Sequence, residues 1–332
     1  MASIEFKKRL GWIDQYRGLL FFFVIVFHTF QSPVWLRYFF DFFFLPGFFL
    51  LSGFLFKPKG IRTNLLNILN SLLIPYFIFS LIISIYTTIS HKEISSFFET
   101  FTDYFVLGGD GIWFIPCLIV LEVMFTLVSN WFKKKDNLIF ISMFSLIISY
   151  FIVDGSSHHL PWNIDTAVIS LPFFTIGYLL KDVSGLSKAM TCSLFVFYLI
   201  LSQLIGNSLY YNIDVDLHNN VIGNPFVYVV LSVLASYALM ELCKISTVLW
   251  YFRKLGQYTL FAFPFHPYAY RTVVKLLAII IPAEGELNLF CTLVVAPFIT
   301  GLLMIFSGII LEKYAPYVIG KYKYINFDFA KK

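Results

Sequence analysis

Lys7-Lys8-Arg9 and, ten residues on, Leu19-Leu20-Phe21-Phe22-Phe23-Val24-Ile25-Val26-Phe27 form a cationic flank followed by an uncharged apolar run. That is the pattern of a helix entering a bilayer from its cytoplasmic side. The span extends over about 13–33. No small-residue cleavage site follows, only Phe30-Gln31-Ser32-Pro33-Val34-Trp35 and another apolar run, so it reads as an uncleaved first helix. Further spans fall at about 36–56, 65–89, 112–132, 137–153, 164–180, 189–206, 225–243, 257–281 and 289–311. Most reach the roughly 17–25 residues that a helix needs to cross the hydrocarbon core.

Composition excludes the soluble classes. Of 332 residues, 59% are hydrophobic, only 13% are charged and 41 are Phe. A soluble domain of this length could not hide so much apolar side chain, whereas lipid solvates an apolar exterior. The net charge of +5 could suit nucleic acid, but the basic residues are scattered between spans and read as topology signals, so no nucleic-acid partner is expected. Cys117, Cys192, Cys243 and Cys291 sit in or beside apolar segments without metal spacing, and no metal is expected.

The basic residues test the layout independently. With the N-terminus inside, the inner segments hold Lys7, Lys8 and Arg9, then Lys57, Lys59 and Arg62, then Lys133, Lys134 and Lys135, then Lys181 and Lys188, then Lys244, Arg253 and Lys254. The last inner segment adds Lys313, Lys321, Lys323, Lys331 and Lys332, making nineteen of the 24 Lys and Arg. Only Arg37 and Lys92 fall in outer loops, and an odd number of spans would scramble the alternation. Outer connections carry Glu99, Asp110, Asp154, His158, His159, Asp216, His218 and Glu286 instead. The predicted fold class is therefore all-α integral membrane, a single bundle of about ten transmembrane helices with both ends in the cytoplasm. It is read as one domain over 1–332, the last ~20 residues being a cytoplasmic tail.

Ionisable groups inside a span are costly and usually face the bundle interior. The first span offers Asp14, Arg17 and His28. Arg17 and His28 are eleven residues apart, three helical turns within about 20°, which puts them on one face roughly 16 Å apart along the axis. Asp14, at i−3, can pair with Arg17. An isolated pair would more often be explained by an arginine snorkelling to headgroups and a packed histidine. The fourth span adds Glu122 after Trp113-Phe114-Ile115-Pro116, and the ninth places His266 between Pro264 and Pro267, followed by Arg271 and Lys275. Two prolines free backbone carbonyls, which is tolerated at membrane depth only where protein or a wet cavity satisfies them.

Ile13-Asp14-Gln15-Tyr16-Arg17-Gly18, with His28 closing an Arg-x10-His spacing, resembles the signature of the membrane acyltransferase 3 family. Phe48-Phe49-Leu50-Leu51-Ser52-Gly53-Phe54 is similar to its second-helix motif and Leu73-Ile74-Pro75-Tyr76 to its third. Trp113-Phe114-Ile115-Pro116-Cys117-Leu118 with Glu122, and Leu255-Gly256-Gln257-Tyr258-Thr259-Leu260 ending at His266-Pro267, resemble two further motifs in the family's order. The resemblance covers nearly the whole chain. Two departures stand out: Phe44 where many members carry a histidine, and Arg62 as the lone basic residue before the third helix, followed by Asn64, Asn67 and Asn70.

The resemblance implies an O-acyltransferase that moves an acyl group, commonly acetyl from acetyl-CoA, onto a hydroxyl of a cell-surface polysaccharide, lipid-linked glycan or other carbohydrate acceptor. The expected setting is the bacterial cytoplasmic membrane. A desolvated arginine near the inner face suits a phosphate-bearing donor, and histidine has the pKa of a general base for the attacking hydroxyl. His28 is thus the expected base or acyl relay and Arg17 the donor-phosphate ligand or site organiser. Trp113 and Glu122 come next, then His266, with Asp14 and Arg62 on the donor side and Ser52 as a further candidate. The rival reading is a secondary transporter exporting a polysaccharide or its precursor, since intramembrane His, Glu and Arg on broken helices suit proton coupling too.

Overall fold

The computed structural model describes residues 10–29, 33–91, 96–109, 111–152, 160–208, 215–281 and 284–321. Lys7, Lys8, Arg9, Lys92, Asp110, Asp154, His158, His159 and the tail from 322 onward lie outside the described residues. Among the described residues the chain is helical, apart from one antiparallel bridge between Asp216 and Val221.

Helices stand at each predicted span. They are α1 (Gly11–Phe27), α2 (Val34–Phe40), α3 (Pro46–Leu55), α4 (Ile61–Ile68) continuing through a π turn into α5 (Ile74–His91), and α6 (Ser96–Phe101). Then come α7 (Phe114–Trp131), α8 (Lys135–Ile152), α9 (Ile164–Leu179), α10 (Lys188–Ser208), α11 (Pro225–Ile245), α12 (Trp250–Gln257), α13 (Thr259–Ile280), α14 (Gly285–Phe290) and α15 (Ala296–Tyr314). Among the described residues six helical segments are long and apolar enough to cross a membrane: Ile61–Ser90, Phe114–Trp131, Pro161–Asp182, Lys188–Gly206, Pro225–Ile245 and Gly285–Tyr314. The protein is a multi-pass membrane protein. The other expected spans are α1, of 17 residues, the α2–α3 pair, α8 and α13. The second span is not one helix because Pro46, at the first position of α3, has no amide to continue the ladder across 41–45.

Helix α8 shows which solvent its surface meets. Phe140, Phe144 and Phe151 are exposed, whereas Ser142, Ser145 and Ser149 are buried. Ser145 and Ser149 satisfy their hydroxyls on the carbonyls of Ser142 and Ser145. Apolar side chains outward and hydroxyls inward is the reverse of a water-facing helix, and it is stable only where lipid covers the outer face.

Small residues set the closest helix approaches. A Cβ on Gly18 would stand 1.9 Å from the Phe252 carbonyl oxygen and one on Gly256 1.8 Å from that of Asp14, so α1 and α12 meet backbone to backbone. Gly53 and Gly177 do the same for α3 and α9. Such contacts replace the hydrophobic driving force that is absent between helices in lipid. Around them one apolar core joins residues of α1, α3, α7, α9, α11, α13 and α15, and a second packs α4 and α5 against α7.

Candidate active site

The signature Asp14-Gln15-Tyr16-Arg17-Gly18 divides its labour. Gln15 donates to the Ser246 hydroxyl at 2.9 Å and accepts from the Leu249 amide at 2.6 Å. The Tyr16 hydroxyl donates to the Ser236 carbonyl at 3.0 Å, and the buried Asp14 accepts from Gln257 at 3.3 Å. With Gly18 seated on Phe252, these contacts lock α1 onto α11 and α12 and fix the side from which Arg17 projects.

Arg17 opens on two adjoining cavities. One, of about 320 Å³, is lined also by Ser52, Ser71, Glu122, Gln257 and Lys321. The other, of about 250 Å³, adds Lys57, Lys59, Asn64 and Asn67 to Arg17, Ser52 and Glu122. Ser71 is presented by the π turn Leu69–Leu73, a widened turn of the kind that recurs at functional sites. Arg62 is exposed on α4 and is not among the residues lining these spaces.

His28 stands elsewhere. It is the residue that closes α1 at its far end, exposed into a third cavity of about 540 Å³ lined also by Trp113, Tyr104, Asp216, His218, Asn219, His266 and Arg271. The His28 and His266 rings lie 4.8 Å apart, centroid to centroid. Trp113 stacks on His218 at 4.8 Å and 25°. His218 is held there by a tight turn in which the Asp216 carboxylate accepts from the amides of His218 and Asn219 at 3.0 and 3.3 Å and from the Asn219 side chain at 2.7 Å. The buried Asn220 anchors that turn, donating to Asp165 at 2.6 Å and accepting from Thr166 at 3.0 Å.

Between the two sides lies a layer of aromatic rings. Phe114 stacks on Phe263 at 4.5 Å and 12°, with Phe48 5.5 Å from Phe114 and Phe21 5.5 Å from Phe263. Phe263 lines both the Arg17 cavity and the His28 cavity. Three helices cross this layer. Helix α1 runs from Arg17 to His28, α13 from Leu260 past Phe263 to His266, and α7 in the opposite sense from Trp113 to Glu122. The structure thus brings Arg17, Glu122 and Ser52 together, brings His28, Trp113 and His266 together, and separates the two groups. Trp113, expected beside the donor, shares the cavity of His28.

Lys57, Lys59, Gln257, Lys321 and His218 are site-lining residues that sequence reasoning did not single out. The lysines were visible only as topology signals, although Lys57 and Lys59 follow the Ser52-Gly53 motif directly. Lys321 belongs to the segment read as a tail. There the chain turns back after α15, and Lys321 pairs with Glu312 at 2.8 Å at the cavity edge. Among the described residues no group of three His, Cys, Asp or Glu side chains is placed to hold a metal.

No curated protein and no solved structure matches the chain. A family model described as an acyltransferase domain, that of the acyltransferase 3 family, matches residues 10–313. The match takes in Arg17, His28, Ser52, Trp113, Glu122 and His266, leaving out only the Ile319–Lys321 edge of the site. The chain therefore belongs to the acyltransferase 3 family and is a membrane acyltransferase, transferring groups other than aminoacyl groups.

Proposed function

We propose that the protein takes acetyl from acetyl-CoA on the cytoplasmic side and transfers it to a hydroxyl of a carbohydrate acceptor at the outer side of a bacterial cytoplasmic membrane. The carrying observation is the division of the site at Phe263, with a cationic space around Arg17 on one side and a histidine-bearing space on the other. Ten spans with both ends inside put the Arg17 side, with Lys57 and Lys59, in the cytoplasm. The donor carries several phosphates, which a guanidinium fork and two ammonium groups suit. The outer space offers an aromatic stack, a carboxylate, an amide and Arg271, groups that suit a polyol.

The step balances simply. His28 removes the hydroxyl proton as the oxygen attacks the thioester carbonyl; the C–O bond forms, the C–S bond breaks, and the proton ends on the departing thiolate. Arg17 and Glu122 hold the donor side while the aromatic layer excludes water from the thioester. Membership of an acyltransferase family favours this reading over export. Mass spectrometry of surface glycans with and without the protein tests it. An O-acetyl group should be lost on deletion, restored by the wild type, and reduced about 10²–10⁴-fold in His28→Ala. Glycans of unchanged mass on deletion would refute the acceptor class.

A further inference from the structure

Helix α13 contains Phe263-Pro264-Phe265-His266-Pro267. In an α-helix the carbonyl of residue i accepts from the amide of i+4, and residue 267, being proline, has no amide proton. The Phe263 carbonyl is thereby deprived of its ladder partner by the sequence itself. The partner it finds is His266, whose Nδ1 lies 2.6 Å away. A carbonyl oxygen can only accept, so Nδ1 carries the proton, and in the neutral ring Nε2 is left as a lone pair. That Nε2 is buried and has no hydrogen-bond partner in the protein, although the residue borders the outer cavity. A buried acceptor without a donor is unfavourable and calls for one.

The donor at hand is His28, its ring centroid 4.8 Å away. With a ring radius of ~1.1 Å and an N–H···N separation of ~2.9 Å, two hydrogen-bonded imidazoles stand about 5 Å apart. The rings are therefore at hydrogen-bonding separation, and a turn of His28, at the accessible end of α1, aligns them. We propose that His266 is a positioning residue for His28: Nε2 accepts the His28 N–H, so that the other His28 nitrogen faces the acceptor hydroxyl as a lone pair. This rests on the reading of His28 as the base. When His28 takes the hydroxyl proton it carries two N–H groups, one held by His266, and it gives the new proton to the thiolate. His266 stays neutral throughout. Pro267 belongs to the device, since an amide at 267 would reclaim the Phe263 carbonyl and release the tautomer.

The test uses the full chain in membranes, measuring O-acetylation of extracted surface glycan at saturating acetyl-CoA together with the half-saturating acetyl-CoA concentration. His266→Leu should lower the saturated rate about 30–100-fold with half-saturation within twofold. His266→Gln, whose amide can donate to Phe263 and accept from His28, should recover to within tenfold of wild type. Pro267→Ala removes a helix-unfavourable residue, so the protein should melt no earlier than wild type while losing at least tenfold in rate. In a His28→Ala background, His266→Leu should cause no further loss. Wild-type rates in both His266→Leu and Pro267→Ala, or a further loss on top of His28→Ala, would overturn the positioning role. The function proposed above fails separately, if the wild type itself transfers no acetyl group.

Discussion

Arg17 and His28 sit on one helix but in different spaces, and this separates what their removal does. On the function proposed above Arg17 meets the phosphates of the donor, so Arg17→Ala should weaken binding of a non-hydrolysable acetyl-CoA analogue roughly 10–100-fold, the loss of a charge-assisted hydrogen bond. His28→Ala, on the far side of Phe263, should change that binding less than threefold while stopping transfer. Arg17→Lys should also bind poorly, because an ammonium does not reproduce the planar fork. Calorimetric titration of the purified protein reads both; equal weakening in the two alanine variants would place the nucleotide elsewhere. These two residues were legible because charge and imidazole are rare inside apolar spans. The Phe114–Phe263 partition was not, since any of 41 Phe could have formed it. Only the rotation of three helices about their axes selects the pair that stacks.

At the scale of the element, the signature motifs prove to be mostly packing. Gly18 and Gly256 belong to two different motifs and meet each other's helices, so the α1–α12 contact ties the Arg-x10-His stretch to the glycine-to-histidine stretch. Gly256→Ala puts a methyl group into backbone that cannot rotate away, which should cost about 1–3 kcal/mol and shift α12, with Gln257, off Asp14. A lower melting temperature in detergent together with weaker donor binding is expected; an unchanged melting temperature would mean that the helices are less tightly held. The membrane-crossing helices were readable from apolar runs, whereas the short α6 and α12 lie in segments read as connections. The break at 41–45 was signalled by Pro46 but absorbed into one span, because the apolar pattern continues on both sides of it. The role of the 215–222 turn had no sequence signal, because His218 reaches Trp113 only through the buried Asn220 anchor.

For the whole molecule, the direction in which each helix crosses the aromatic layer can be checked from outside. Single cysteines in a cysteine-free background at Lys134 and at Lys59 should resist an impermeant maleimide in intact cells, and those at Glu99 and Glu286, both exposed, should react. Labelling of Lys134 from outside would reverse the assignment of donor and acceptor sides. The partition at Phe263 then has an electrical meaning. Wet spaces on both sides conduct ions, so most of the membrane voltage falls across the few ångströms of stacked rings rather than across the whole bilayer. On the proposed function the thioester, the hydroxyl, the ester and the thiol are all uncharged, so a hydroxyl proton that passes inward to the thiolate while the acyl group passes outward moves no net charge through that field. If the proton were instead released outside and the thiolate protonated from the cytoplasm, one elementary charge would cross outward per turnover, against about 2.3 kcal/mol per 100 mV. Turnover in sealed vesicles energised inside-negative should therefore equal that in vesicles depolarised with valinomycin and potassium. A rate that falls on energisation would mean that hydroxyl and thiolate exchange their protons with separate solutions, and that the acetyl group travels alone.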